Sequence, residues 1–75
     1  MNRERRRTLT EIVSRLRSLN SELDAIVCAE QDSLDNTPEN MVDGDRYQER
    51  EETLEKLEEA VEELESAIDK LADIY

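Results

Sequence analysis

The chain has no histidine, tryptophan or phenylalanine and a single cysteine, Cys28. A disulfide within the chain is therefore excluded, and a zinc site built from Cys and His lacks its ligands. No histidine is present to activate the Cys28 thiol, so we expect an incidental thiol and not a nucleophile. A lone unpaired cysteine is typical of proteins in a reducing compartment.

Long apolar runs are also missing, so we expect neither a membrane span nor a signal peptide, and we predict a soluble protein of the cytoplasm. Charged residues make up 41% of the chain, and the net charge is −11. Such a composition is common in disordered proteins. The regular spacing of the apolar residues instead indicates a coiled coil.

The charge is uneven along the chain. Residues 1–17 contain six arginines against two glutamates, a net of +4, and residues 18–75 contain four basic and nineteen acidic residues, a net of −15. The arginines among residues 3–7 oppose the helix macrodipole, and we expect Asp69, Asp73 and the C-terminal carboxylate to compensate. Phosphate contact is the alternative, but the acidic balance and the lack of stacking aromatics argue against a nucleic-acid partner.

The clearest pattern lies in the C-terminal part, where apolar residues alternate at spacings of three and four, as in heptad positions a and d. They are Leu54, Leu57, Val61, Leu64, Ile68, Leu71 and Tyr75. Ala60, Ala67 and Ile74 follow a third row at position g. A face of three rows is typical of helical bundles.

A similar pattern occupies the N-terminal part. Positions a and d are taken by Leu9, Ile12, Leu16, Leu19, Leu23 and Ile26, and position e by Val13, Val27 and Leu34. Thr8 followed by Glu11 resembles a capping box, and Asn2 is an earlier possible start. Pro38 disfavours helical geometry at the residue before it, so the helix should end near Asp35 or Asn36.

These patterns predict a single all-α domain over residues 1–75, an antiparallel two-helix coiled-coil hairpin. Helix one is expected over about 3–35, the turn over about 36–45 and helix two over about 46–75. Asp43 or Asp45 is the expected N-cap of helix two. Leu34, Met41 and Val42 are expected to cover the turn end.

A turn centred near residue 40 brings residue i of helix one close to residue 80−i of helix two. This register predicts that Ile26 faces Leu54, Leu19 faces Val61 and Ile12 faces Ile68. It also predicts an ion pair between Glu30 and Arg50, which would set the register more than it would add stability.

The apolar face is wider than one hairpin can cover, so we expect a homodimer that forms a four-helix bundle, with no preference for parallel or antiparallel hairpins. The predicted oligomer interface consists of Leu9, Ile12, Val13, Leu16, Leu19, Leu23, Ile26, Leu54, Leu57, Ala60, Val61, Leu64, Ala67, Ile68, Leu71 and Ile74.

Several acidic motifs resemble metal sites but do not match one. The Glu-x-x-Glu steps of helix two lack the downstream Glu-x-x-Asp of helical pyrophosphatases and the Glu-x-x-His of di-iron bundles. Asp43-Gly44-Asp45 cannot serve as an EF-hand loop, because Met41 and Arg50 would occupy ligand positions. We therefore predict no enzyme activity, no metal and no cofactor, and interpret the glutamates as a solvated helix face.

The segment Leu34-Asp35-Asn36-Thr37-Pro38-Glu39-Asn40-Met41, followed by Asp45-Arg46-Tyr47 and a Glu-rich heptad run, resembles a group of small acidic helical-hairpin proteins. These proteins are carried by phages and prophages of Gram-positive bacteria. The resemblance covers about residues 19–75. It implies a mobile-element protein in a bacterial host cell, where short acidic proteins often bind a host protein. It brings no catalytic residues.

The leading hypothesis is a non-enzymatic accessory protein that binds and inhibits a host protein such as a defence nuclease. The candidate contacts are Asn36, Pro38, Glu39, Asn40 and Met41 at the turn, with Glu55, Glu59, Glu62 and Glu63 on helix two. Rows of carboxylates can stand in for DNA phosphates in such docking. The alternative is a structural coiled coil for oligomerisation or scaffolding, with no separate target.

Overall fold

The computed structural model describes residues 1–41 and 44–75. Within them, two long helices pack into a hairpin. The first helix, α1, runs Arg3–Asp35, a single 3-10 turn spans Glu39–Met41, and the second helix, α2, runs Asp45–Ala72. The described residues contain no strand, and the hairpin measures 59 Å by 14 Å by 13 Å between its Cα extremes. The all-helical hairpin expected from the heptads is confirmed.

Asn2 caps the start of α1, which makes the alternative start at Thr8 wrong. The Asn2 Oδ1 atom accepts a hydrogen bond from the Arg5 backbone N–H at 2.8 Å. Thr8 lies inside the helix, and its hydroxyl donates to the Glu4 carbonyl at 3.0 Å. Asparagine is among the strongest N-caps, and the Arg and Glu residues that follow favour a helix, so the earlier start prevails.

Side chains close the C-terminal end of α1. The Asn36 side-chain amide donates to the Asp32 carbonyl at 2.8 Å, and the Thr37 hydroxyl donates to the Ser33 carbonyl at 3.1 Å. The Thr37 bond supplies a donor for the Ser33 carbonyl in the last turn, and the Asp32 carbonyl also accepts from the Asn36 backbone N–H at 3.1 Å. Pro38 follows at once and prevents the helix from continuing.

The start and end of α2 differ from the prediction. Gly44 is the N-cap, in an extended conformation and without a side-chain hydrogen bond, and Asp45 is the first residue of the helix. The other predicted cap, Asp43, lies outside the described residues. At the far end the helix stops at Ala72, so Tyr75 does not extend the buried row and is 44% exposed. A terminal turn has few packing contacts to hold it.

One of the three residues expected to cover the turn end does so. Leu34 is 3% exposed and belongs to the core with Val27, Leu54 and Val61. Met41 belongs to the 3-10 turn, in which no residue is buried, and is 60% exposed, so its predicted role in covering the end is wrong. Val42 lies outside the described residues.

The two helices contact each other through two alternating rows of side chains on each helix, which we call the seam. On α2 these are the rows that the sequence predicts. Leu54, Val61 and Ile68 are buried on α2, and Leu57, Leu64 and Leu71 beside them are half-buried. On α1 the seam is made of Leu9, Val13, Leu16, Asn20, Leu23, Val27, Glu30 and Leu34. The residues of α1 therefore also alternate at spacings of three and four, but in a different pair of rows from the predicted one.

The predicted d row of α1 is exposed, which corrects the proposed facing pairs. Ile12, Leu19 and Ile26 are 43%, 55% and 53% exposed, so they do not face Ile68, Val61 and Leu54 across the seam. The turn explains the choice, because burying Leu34 at the point where the chain reverses also turns Val27 and Val13 inward, at multiples of seven residues.

This choice places Asn20 in the seam, at 7% exposure, with its Oδ1 atom lacking a hydrogen-bond partner among the described residues. A buried polar atom without a partner costs about 1–3 kcal/mol. We expect Asn20→Leu to raise the free energy of unfolding by about 1–2 kcal/mol, measured by urea denaturation at one fixed concentration. The matched control Ser21→Leu adds the same side chain at an exposed position and should change stability by less than about 0.5 kcal/mol. An unchanged or lower stability for Asn20→Leu would contradict the assignment of Asn20 to the seam.

Candidate protein-binding surfaces

The predicted pair between Glu30 and Arg50 is confirmed. The Arg50 Nε atom donates to the Glu30 carboxylate at 3.2 Å, and its Nη2 atom donates to the Ser33 hydroxyl at 2.6 Å. Both side chains are about one-third exposed, so the pair contributes little to stability. It joins the last turns of α1 to the first turns of α2 and leaves the rest of the acidic surface unneutralised.

The four glutamates predicted on the outer face of α2 lie where the heptads place them. Glu55, Glu59, Glu62 and Glu63 are all exposed and belong to one helix segment about 12 Å long at ~1.5 Å per residue. Within residues 1–41 and 44–75 the only ion pair is the one between Glu30 and Arg50, so none of these carboxylates has a cation of its own chain within 4 Å. We call these four residues the acidic face.

The arginines at the start of α1 form no direct ion pair among the described residues. Nothing in that part of the chain places Arg3, Arg5, Arg6 or Arg7 within 4 Å of a carboxylate, so compensation by Asp69 and Asp73 stays a prediction of attraction over a longer distance. Exposed ion pairs gain little and require two long side chains to be ordered. The Asn2 cap satisfies the helix start instead.

The turn candidates Asn36, Pro38, Glu39, Asn40 and Met41 are exposed together at the tip of the hairpin. They lie at one end of the rod, whereas the acidic face lies along its side. The structure therefore gives two separate surfaces and not one combined site. Glu39 and Met41 share the 3-10 turn, which the Met41 N–H closes by donating to the Pro38 carbonyl at 2.9 Å.

The predicted interface residues separate into two groups. Ten lie in the seam within one chain: Leu9, Val13, Leu16, Leu23, Leu54, Leu57, Val61, Leu64, Ile68 and Leu71. Six remain outside it and are exposed: Ile12, Leu19, Ile26, Ala60, Ala67 and Ile74. Asn20 lies in the seam although no apolar pattern predicted it, and Val27 and Leu34 also lie there although they were not among the predicted interface residues. Asn20, Val27 and Leu34 follow Val13 at steps of seven residues, and this repeat could have indicated that they share one face of the helix.

The described part of the chain shows no cluster of potential metal ligands. No group of three or more His, Cys, Asp or Glu side chains there is placed to hold a metal ion. Cys28 is exposed on α1, as its outer heptad position predicts. Grooves run beside the seam and are lined by pairs from the two helices, such as Asp24 with Glu58 and Arg17 with Glu65.

Among the described residues, neither helix combines the length and the apolar character needed to cross a bilayer. Comparison with protein-family models, with curated proteins and with solved structures found no match for this chain. A function for it is therefore inferred from its surfaces and their chemistry.

Proposed function

We propose that this chain is a non-enzymatic accessory protein that binds a host protein, such as a defence nuclease, and inhibits it. The acidic face is the observation that carries this proposal. Its four carboxylates are exposed, lie on one regular helix and have no neutralising cation of the described chain within 4 Å. Carboxylates held in this way can occupy a basic groove in place of nucleic-acid phosphates.

The proposed setting follows from the resemblance of the turn and the Glu-rich helix to phage and prophage hairpin proteins of Gram-positive bacteria. An inhibitor of a nuclease that attacks phage DNA acts in the cytoplasm of the host cell. The net charge of −11 would attract a basic nuclease groove and repel the phosphates of DNA itself. The chain then competes with DNA and does not bind it.

Rigidity supports this role, and we include an antiparallel arrangement of the two helices in the proposal. The pair of Glu30 with Arg50 joins the end of α1 to the start of α2, while Arg17 and Glu65 line one groove further along. Two helices that support each other over their length hold the acidic face at a fixed spacing. A partner then does not have to order the carboxylates on binding, which lowers the cost of association.

A structural role is the second candidate, in which the chain assembles into a homodimeric four-helix bundle and has no separate target. The exposure of Ile12, Leu19 and Ile26 favours it. Three large aliphatic side chains in one row along a helix are an unusual feature for a solvated face in a chain with 41% charged residues. The two candidates differ in whether the acidic face is needed.

Capture from a Gram-positive lysate tests the proposal, with the tagged chain as bait and mass spectrometry as the readout. The wild-type chain should retain one stoichiometric partner at moderate salt. The acidic-face variant, in which Glu55, Glu59, Glu62 and Glu63 are all changed to lysine, should lose it, because four attractive charges become repulsive. We expect at least about a 100-fold loss of affinity for the isolated partner.

A matched control carries the same change of charge on α1, with Glu4, Glu11, Glu22 and Asp32 changed to lysine. These residues are exposed and make no side-chain hydrogen bond or ion pair among the described residues. The control should keep the partner, because the effect belongs to one face and not to the net charge. Equal loss in both variants, or recovery of the wild-type bait alone, would argue for the structural role.

A further inference from the structure

We propose that a second copy of this chain covers the uncharged side of the hairpin, and that it packs end for end, with its turn beside the termini of the first. This inference concerns the other side of the rod from the seam grooves. It stands independently of which protein the acidic face binds. The first step is to establish which residues form the uncharged side.

The seam grooves show which residues of α1 and α2 share a side. One groove contains Arg17 and Glu65, and a second contains Asp24 and Glu58. Each of these residues comes four positions after a buried residue: Val13 and Asn20 on α1, and Leu54 and Val61 on α2. The positions just before the buried residues therefore lie on the opposite side of the seam, for both helices.

The middle of that opposite side, which we call the apolar flank, has eight successive uncharged positions. They are Ile12, Leu19, Ile26 and Ser33 on α1, and Thr53, Ala60, Ala67 and Ile74 in the row of α2, where Ile74 lies just beyond the helix. The next positions outward in these rows are Arg5, at the end with the termini, and Arg46, at the turn end. The groove side, in contrast, carries arginine, aspartate and glutamate. The α1 half of the flank is a ridge of large side chains and the α2 half is lined with alanines, so that two helices can approach closely there.

The flank is long enough to pack along a second copy. From Ile12 to Ser33 it runs about 32 Å at ~1.5 Å per residue, on a hairpin that is 14 Å wide between its Cα extremes. The same flank on both copies makes a two-fold interface, in which each residue set contacts itself. Four helices then enclose the ridge of Ile12, Leu19 and Ile26, which one hairpin leaves exposed.

The charge distribution selects the orientation. Residues 18–62, at the turn end, hold fifteen acidic and three basic residues, a net of −12. Residues 1–17 carry +4 and residues 63–75 carry −3, so the end with the termini has a net of +1. In a parallel dimer the turn ends of the two copies, each with a net charge of −12, would lie side by side. In an end-for-end dimer each turn end lies beside the other copy's termini, which have a net charge of +1. Charges a few ångströms apart across an interface are only partly screened by physiological salt, so this difference favours the end-for-end dimer.

The geometry of a two-fold axis turns this orientation into specific contacts. When two hairpins meet face to face and one is reversed end for end, α1 lies against α1 of the other copy and α2 against α2. Leu19 is at the midpoint of α1, which spans Arg3–Asp35, and so lies near the axis and near its own equivalent. In a parallel dimer α1 would instead lie against α2 of the other copy.

Spin labels at the turn distinguish the orientations. In a Cys28→Ser background, a label at Asn40→Cys should give a distance between the two copies close to the 59 Å length of the hairpin. Parallel hairpins would give roughly 20 Å, about two interhelical spacings. A label at Ser21→Cys, near the middle of α1, should give a short distance and show that the labelled chain is dimeric. A short distance at Asn40 would overturn the end-for-end dimer.

Sedimentation equilibrium tests whether the flank is the interface. The wild-type chain should be a dimer at micromolar concentration, and Leu19→Lys should weaken dimerisation at least about 100-fold, because one change removes an apolar contact and adds two like charges near the axis. Ser18→Lys, the adjacent exposed position, should leave the dimer intact. A wild-type monomer, or a Leu19→Lys chain that dimerises as the wild type does, would overturn the proposal. The label distances use the wild-type flank, so they decide the orientation even if Leu19→Lys unfolds.

Discussion

Replacing Val61 and Ile68 together by aspartate is expected to abolish the helical hairpin and leave a weakly helical monomer. Both side chains are nearly fully buried in the seam, at 7% and 2% exposure. Each change loses about 1.5–3 kcal/mol of apolar burial and places a carboxylate among the apolar side chains of the seam, where its desolvation is unfavourable. The combined loss is comparable to the whole stability of a small domain. Circular dichroism at 222 nm should show the loss of helix at any protein concentration that can be reached.

The control for this result changes two exposed positions of the same helix, Lys56→Asp and Ser66→Asp. Both residues lie on the outer side of α2, so the added carboxylates remain hydrated. The helical signal should persist, with a change in stability of at most about 0.5 kcal/mol per site. A chain carrying Val61→Asp and Ile68→Asp that stayed fully helical would show that these rows do not form the core.

The contacts of α2 could be predicted from the sequence because its heptads allow one main interpretation. Its a and d rows are apolar from Leu54 to Leu71, its g row is mostly alanine, and its outer rows are glutamate-rich. The d row could also pair with the g row without burying a charge, but the alanines of the g row bury less apolar area than Leu54, Val61 and Ile68, so the a and d rows are favoured. The exposure of the acidic face followed from the same pattern.

The seam of α1 could not be chosen from periodicity alone. With apolar residues in rows a, d and e, the row of Leu16 can pair with the row of Leu19 or with the row of Val13, and both pairs repeat at three and four residues. The turn decides between them, because it buries Leu34 and aligns Glu30 with Arg50. These are tertiary contacts that no local pattern of α1 contains.

The sequence predicted where the candidate surfaces lie, but not which of their charged side chains form ion pairs. Heptad positions place Glu55 and Glu63 outward, and the turn chemistry of Pro38 places the tip in solvent. Whether a nearby arginine or lysine neutralises an exposed carboxylate depends on the balance between a weak attraction and the entropy of two long side chains. Among the described residues the N-terminal arginines form no direct ion pair, in agreement with this balance.

Two neighbouring residues of α1 provide the sharpest test of the corrected seam, because the sequence pattern and the structure assign them opposite roles. We expect Val27→Asp to destabilise the hairpin by about 3–5 kcal/mol, since it places a charge inside the core formed with Leu34, Leu54 and Val61. Ile26→Asp changes a side chain that is 53% exposed, so a concentrated solution should retain the helical signal. Urea denaturation of both variants at the same protein concentration measures the difference.

The same pair separates packing within one chain from packing between copies. Ile26 belongs to the apolar flank, so Ile26→Asp should weaken dimerisation in sedimentation equilibrium and lower stability most in dilute solution, where dissociation costs the hairpin its partner. Val27→Asp should be unfolded in dilute and concentrated solution alike. If Ile26→Asp proved the more damaging change at every concentration, the a and d rows would form the seam of α1 after all. The flank would then consist of Val13, Val27 and their row, because the helix would have turned by one residue.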